Sequence, residues 1–176
     1  MLPHIYERTA VLAENTMSLF SKKEPLYSLL APADGRLIPL ESLPDEAFSQ
    51  KLLGEGFAVT PTSGNVYAPA SGTVGTVSQV GHAVTILTPD GLDLLVHVGI
   101  DTVTLGSDPF QVLVTVGQQI GAGDPILKVD LDAIRAASLP TEIPVLITNR
   151  ECLTSLLTEC GDCIGGQTVA ATYQIS

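Results

Sequence analysis

The sequence predicts an all-β protein, an antiparallel β-sandwich or barrel-like fold with one or two short helices. Short runs rich in Val, Ile, Leu, Thr and Tyr recur from Leu26 to the C-terminus, at the spacing of roughly 8–12 residues that marks strands of a sandwich or barrel. Turn-forming residues stand between them, with 16 Gly and 12 Pro in 176 residues. Only Leu131–Ser138, closed by Pro140, has a clear helical pattern.

Residues 1–25 read as an N-terminal extension, flexible or weakly helical, with Ile5, Leu12, Leu19 and Phe20 as its apolar positions. They lack the basic start and long apolar core of a signal peptide, and Met17 offers an alternative start. Residues 26–176 read as a single domain. Its strands are expected over 27–30, 36–40, 57–60, 66–67, 73–77, 83–87, 92–98, 110–116, 126–129, 143–148 and 168–173. Ala31-Pro-Ala-Asp-Gly35 and Ala68-Pro-Ala-Ser-Gly72 echo each other, each separating two strands. Leu43–Phe48 reads as one helical turn or a loop, Gly54-Glu55-Gly56 as a turn, and Cys152–Leu157 as a second short helix.

The net charge of −11 argues against nucleic acid as a partner, because phosphate contacts need Lys and Arg. It suits a soluble protein that meets basic partners. No run approaches the roughly 20 apolar residues of a membrane span; Lys22 and Lys23 allow at most a peripheral membrane contact. The three cysteines, Cys152, Cys160 and Cys163, sit near the C-terminus and do not form a secreted disulfide framework. Cys160-Gly-Asp-Cys163 is a CxxC without further ligands for a four-coordinate zinc. It is expected as two thiols in a loop before the last strand. The chain has no GxSxG, HExxH, Walker or GxGxxG motif.

The chemistry-bearing residues lie in a hairpin. His82 opens the run Ala83–Leu87, Thr88-Pro89-Asp90-Gly91 supplies turn residues, and Leu92–Val98 carries His97. The expected register takes Pro89 and Asp90 as a two-residue loop, which places His82 and His97 directly opposite, about 4.5–5.5 Å apart at Cβ. A three-residue loop with Gly91 in a bulge shifts the pairing by one and separates the histidines by face, unless a second bulge compensates. Two imidazoles on one face suit metal binding, acid–base chemistry or phosphoryl handling; two ordinary strand-end histidines are the plain alternative.

Beyond these elements the chain resembles the glucose-type enzyme IIA family of the bacterial phosphoenolpyruvate-dependent sugar phosphotransferase system. The resemblance rests on Gly91-x-x-Leu-Leu-Val-His97-Val-Gly-Ile-x-Thr-Val103, on Gly54-Glu-Gly-x-Ala58-x-x-Pro61-x-x-Gly64-x-x-x-Ala68-Pro69-x-x-Gly72-x-Val74, and on His82-Ala83. Pro44-Asp45-x-x-Phe48 and Gly117-x-x-Ile120-x-x-Gly123-Asp124 add to it. It spans roughly Leu26 to Ile175. It implies a β-sandwich with a shallow site and a cytoplasmic phosphotransferase component. In it His97 accepts a phosphoryl group from the carrier protein HPr and passes it to a cysteine of a sugar-specific enzyme IIB domain. His82 is implied to stabilise the phosphoryl oxygens.

Supporting roles are expected for Gly99, whose carbonyl would fix the His97 tautomer, for Asp101 at the rim, and for Val80. Leu95, Val96 and Val98 are expected to limit water at the phosphohistidine. Asp45, Phe48 and Leu95 are expected on the partner-docking face, with Phe48 alternatively a plain core residue. The resemblance implies no cofactor, with zinc conceivable only between His82, His97 and a partner. A zinc hydrolase would need a third ligand and a base that the two body histidines do not supply. Better-known members carry an aromatic at Ser78 and a threonine at Val80, so a polar contact beside the histidines is expected to be lost. The Cys160–Cys163 pair lies outside the family pattern. A regulatory binding module, docking on transporters or metabolic enzymes until phosphorylation releases it, is the alternative function.

Overall fold

The computed structural model describes residues 25–176; the N-terminal extension, up to residue 24, lies outside the described residues. Among these the chain forms fourteen strands, two short α-helices and three single turns of 3₁₀ helix. In order they are β1 Tyr27–Leu30, β2 Gly35–Pro39, α1 Glu46–Ser49, β3 Glu55–Pro61, β4 Asn65–Tyr67, β5 Gly72–Val77, β6 Ala83–Leu87 and β7 Asp93–His97. Then follow β8 Phe110–Val112, β9 Gln119–Ile120, β10 Pro125–Val129, α2 Leu131–Ala136, β11 Ile143–Ile147, β12 Leu153–Thr158, β13 Gly161–Cys163 and β14 Val169–Ile175. Eight strands join one sheet in the order β13-β2-β3-β11-β7-β6-β5-β9, and two three-stranded sheets, β1-β14-β12 and β4-β10-β8, complete the layers. Every described strand pair is antiparallel. The all-β expectation holds.

Side-chain alternation sorts the large sheet into two faces. Leu37, Phe57, Val59, Val84, Ile86, Leu94, Val96, Val145 and Ile147 point into the main core. Leu40, Leu43, Phe48, Ala58, Ile100 and Leu146 form a smaller cluster on the other face, with Ile38 and Leu95 packed against it. β11 sits between β3 and β7, so its whole IPVLI run is buried. Each such Leu, Ile or Phe contributes about 1.5–3 kcal/mol through burial. Helix α1 caps the small cluster by burying Phe48, and the Asp45 carboxylate accepts the Ala47 N–H at 2.8 Å as its N-cap.

The expected helix at Cys152–Leu157 is a strand. β12 pairs along β14, with Leu156 opposite Tyr173 and Leu157 opposite Thr172, and this pairing outweighs the weak helical preference of a short run. The expected strand at 110–116 stops at Val112. Cys163 lies in a strand rather than a loop, paired with Gly35 of β2.

Candidate functional site

The β6–β7 pairing differs from the register expected for a two-residue turn. Ala83 is opposite His97, Val84 opposite Val96 and Leu87 opposite Asp93. Pro89, Asp90 and Gly91 form a three-residue loop, with Gly91 at φ +97° and Thr88 N–H bonded to the Leu92 carbonyl at 2.9 Å. In a regular strand this register would send the His82 ring into the main core beside Val98. Instead His82 precedes the ladder. Its carbonyl still accepts the Val98 N–H at 2.8 Å, but the preceding Gly81, at φ +87°, bends the chain so that the ring turns to the His97 side. A Cβ at residue 81 would meet Val112 Cγ2 at 2.9 Å, so glycine serves both the bend and the close packing. The imidazole centroids end 4.8 Å apart at an interplanar angle of 80°. The histidines do meet, by a shifted register and a compensating bend.

Each ring is tied at Nδ1. His97 Nδ1 lies 2.8 Å from the Gly99 carbonyl. A carbonyl only accepts, so neutral His97 carries its proton on Nδ1 and keeps a lone pair on Nε2. Gly99 itself is at φ +72°, its N–H bonded to the Glu142 carbonyl at 2.9 Å. His82 Nδ1 lies 3.1 Å from Ser78 Oγ. Among the described residues neither Nε2 has a hydrogen-bond partner.

Burial keeps both rings neutral. Desolvation, then the neighbouring His82, depress the His97 pKa to about 4; the Gly99 carbonyl and the Asp101 and Asp45 carboxylates act the other way. Burial likewise lowers His82. At neutral pH His97 therefore presents an unprotonated Nε2 backed by apolar surface, the form a nitrogen nucleophile needs.

The family profile described as phosphoenolpyruvate-dependent sugar phosphotransferase system, EIIA 1, matches residues 27–153. The chain belongs to this family, the glucose-type enzyme IIA components. It is 39% identical over 124 residues to a glucose-specific EIIA component of Staphylococcus aureus, covering 70% of this chain and 75% of that protein. It is 41% identical over 162 residues to the glucose-specific EIICBA component of Streptococcus pneumoniae, covering 92% of this chain but 22% of that protein. Against the mannose-specific EIIBCA component of Corynebacterium glutamicum, identity is 45% over 124 residues, or 18% of that protein. The chain thus spans about a fifth of these two longer relatives. The glucose permease IIA of Mycoplasma capricolum superposes with a TM-score of 0.79 at 35% identity, covering 84% of this chain and 96% of that one.

Around the histidines of this enzyme IIA, the other expected residues separate. Leu95 lies on the His97 face, half-buried against the small cluster. Val96 and Val98 do not shield His97, because they point into the main core. Phe48 is 6% exposed and sets its ring edge-on to His97, centroids 5.4 Å apart. Its buried ring forms part of the wall beside the His97 imidazole. Asp45 spends one carboxylate oxygen on the α1 cap yet still contributes to the field at His97. Asp101 is exposed, in the left-handed region at φ 59°, with no capping bond from its carboxylate. Its backbone carbonyl holds the turn, accepting from Thr104 Oγ1 at 2.8 Å.

The polar contact beside the pair comes from a residue other than the one the family pattern uses. Val80 cannot supply a hydroxyl, but Ser78, four residues before His82, does. Sequence reasoning also missed Phe110, whose ring lies 6.1 Å from that of His82. Its β8 strand is distant in sequence, and no local pattern announces the contact. Among the described residues no three His, Cys, Asp or Glu side chains gather into a metal-binding group. No described helix is long and apolar enough to cross a membrane. Cys160 is exposed and Cys163 buried, both free.

Proposed function

We propose that this chain is a cytoplasmic phosphocarrier of sugar uptake, with His97 Nε2 as the atom that turns over the phosphoryl group. The observation that carries the reading is the orientation of His97, with Nδ1 bound to the Gly99 carbonyl and Nε2 open on an apolar face. The phosphoryl donor is the phosphohistidine of HPr. The donor's P–N bond breaks as the P–Nε2 bond forms, and the proton stays on Nδ1 throughout, donated to the Gly99 carbonyl. Onward transfer breaks P–Nε2 and forms P–S on the cysteine thiolate of an enzyme IIB domain, returning neutral His97. Such transfers need mainly alignment and charge stabilisation. His82 supplies a hydrogen bond to the phosphoryl oxygens, and Phe48 and Leu95 limit water access, which slows hydrolysis of the phosphohistidine. The relatives are named as glucose-specific components of the PTS system, which favours a carrier over a free-standing regulatory module.

The test is intact mass at neutral to basic pH after incubation with phosphoenolpyruvate, enzyme I and HPr. Wild type and His82→Gln should gain one phosphoryl group and His97→Ala none. No gain in wild type, or gain in His97→Ala, rejects the reading.

A further inference from the structure

We propose that Ser78 is a positioning residue that fixes His82 in one tautomer. The functional half of this inference rests on the phosphocarrier reading; the structural half does not. Ser78 follows β5 and is itself pinned by the backbone. Its N–H donates to the Ala83 carbonyl at 2.9 Å and its carbonyl accepts the Gly81 N–H at 2.9 Å. Its Oγ accepts the Ala83 N–H at 3.0 Å and lies 3.1 Å from His82 Nδ1. A hydroxyl has one proton to give. Oγ already accepts from Ala83, and in the proposed arrangement its own proton goes to Nδ1, leaving Nε2 open toward the site. His82 Nδ1 is then the acceptor, and the ring proton sits on Nε2.

The consequence is complementarity between the two rings. A carbonyl at Gly99 makes His97 Nε2 a lone-pair nucleophile, and a hydroxyl at Ser78 makes His82 Nε2–H a donor. Two identical side chains thus take opposite roles because one Nδ1 faces an acceptor and the other a donor. The ring of His82 cannot easily turn away, since it is flanked by His97 at 4.8 Å and Phe110 at 6.1 Å. A donor held in place strengthens as negative charge builds on the transferring phosphoryl oxygens. The hydroxyl comes from a position four residues before His82, so a threonine two residues before it is not needed for this purpose.

Two measurements test this. Long-range proton–nitrogen correlation spectra of ¹⁵N-histidine-labelled wild type near neutral pH should show His82 protonated at Nε2, with Nδ1 shifted as a hydrogen-bonded acceptor. Ser78→Ala should move the Nδ1 resonance toward that of a nitrogen without a bond, and Ser78→Thr should restore it. Phosphoryl exchange with HPr should slow about tenfold in Ser78→Ala, the loss expected for one hydrogen bond, and recover in Ser78→Thr. A wild-type His82 protonated at Nδ1, or an Nδ1 signal unchanged in Ser78→Ala, overturns the proposal. So does a shifted Nδ1 with an unchanged exchange rate. If wild type takes no phosphoryl group at all, the phosphocarrier reading falls, while the spectra still decide what Ser78 does to His82.

Discussion

The two ends of the β6–β7 hairpin are built in opposite ways. At the turn end, polar groups are tied in several directions. Asn149 Nδ2 donates to the Gly91 carbonyl at 2.8 Å and its Oδ1 accepts the Asp93 N–H at 2.9 Å. Thr88 Oγ1 accepts the Leu92 N–H at 2.9 Å, and Tyr173 donates to Asp90 at 2.7 Å. At the other end each imidazole is tied once, through Nδ1. One end is closed into structure; the other spends its hydrogen bonds on aiming the rings and leaves one nitrogen of each for chemistry. Glycines at positive φ stand at both ends, and Gly91 and Gly99 provide the sharpest contrast.

A Cβ at Gly99 would lie 2.3 Å from Thr102 Cγ2 and 2.9 Å from the Pro140 carbonyl, while one at Gly91 meets nothing within 4 Å. Gly91→Ala should therefore cost only the left-handed backbone penalty, about 1–2 kcal/mol. Gly99→Ala adds overpacking and should cost about 3–4 kcal/mol in urea unfolding. It should also displace the carbonyl that aims His97 and so slow phosphorylation, which Gly91→Ala should not. Equal effects at the two sites would mean the histidine end is as forgiving as the turn.

Acid should strain the histidine end selectively. His97 has a folded pKa of about 4 against an ordinary unfolded value near 6.5. Above about pH 6.5 it is neutral in both states and costs nothing. As pH falls through the window toward 4 the unfolded chain binds the proton first, so stability declines, by about 3 kcal/mol once both states are protonated. His82, also lowered by burial, adds in the same direction. An NMR titration should place the His97 midpoint near pH 4, and His97→Gln should lose less stability than wild type over that window.

The turn end should respond in stability alone. Burial and the Asp90 bond push the Tyr173 phenol above its ordinary range, so it remains a donor at neutral pH. Tyr173→Phe removes that bond while keeping the stacking on Tyr27, centroids 5.3 Å apart. It should cost about 1–2 kcal/mol with phosphoryl acceptance unchanged. A loss of acceptance would show that the two ends are coupled through the hairpin.

The same contrast explains what could be read from the sequence. The hairpin, its turn residues and both histidines were legible because alternation and Gly, Pro and Asp signals are local. The register was not: two- and three-residue loops both fit Pro89-Asp90-Gly91, and the choice lies with Gly91 at φ +97° and the buried Thr88. The correct meeting of the histidines needed the bend at Gly81, which is shaped by Val112 and Phe110 from another strand. Contacts set by distant segments, such as Phe110 on His82 or β14 against Leu153–Thr158, leave no periodic trace. Ser78 is a different case. The family pattern carries a hydroxyl at the position of Val80, where this chain has none, and the chain supplies one from Ser78 through a loop closed between Ser78 and Ala83.

The smallest expected effect concerns Asp101. Its residue sits at φ 59° with its backbone carbonyl bonded to Thr104 and no capping bond from its carboxylate. Asn tolerates the left-handed region as well as Asp does, so Asp101→Asn should leave stability within about 0.5 kcal/mol. The carboxylate nevertheless favours the protonated form of His97. Removing it should lower the His97 midpoint, and only slightly, because an exposed charge is screened by water and salt. The shift should shrink further as salt is raised. A midpoint that rises, or that moves without salt dependence, would mean Asp101 acts on His97 through the turn geometry instead of through its charge. The histidine end would then depend on more than the Nδ1 bond that aims each ring.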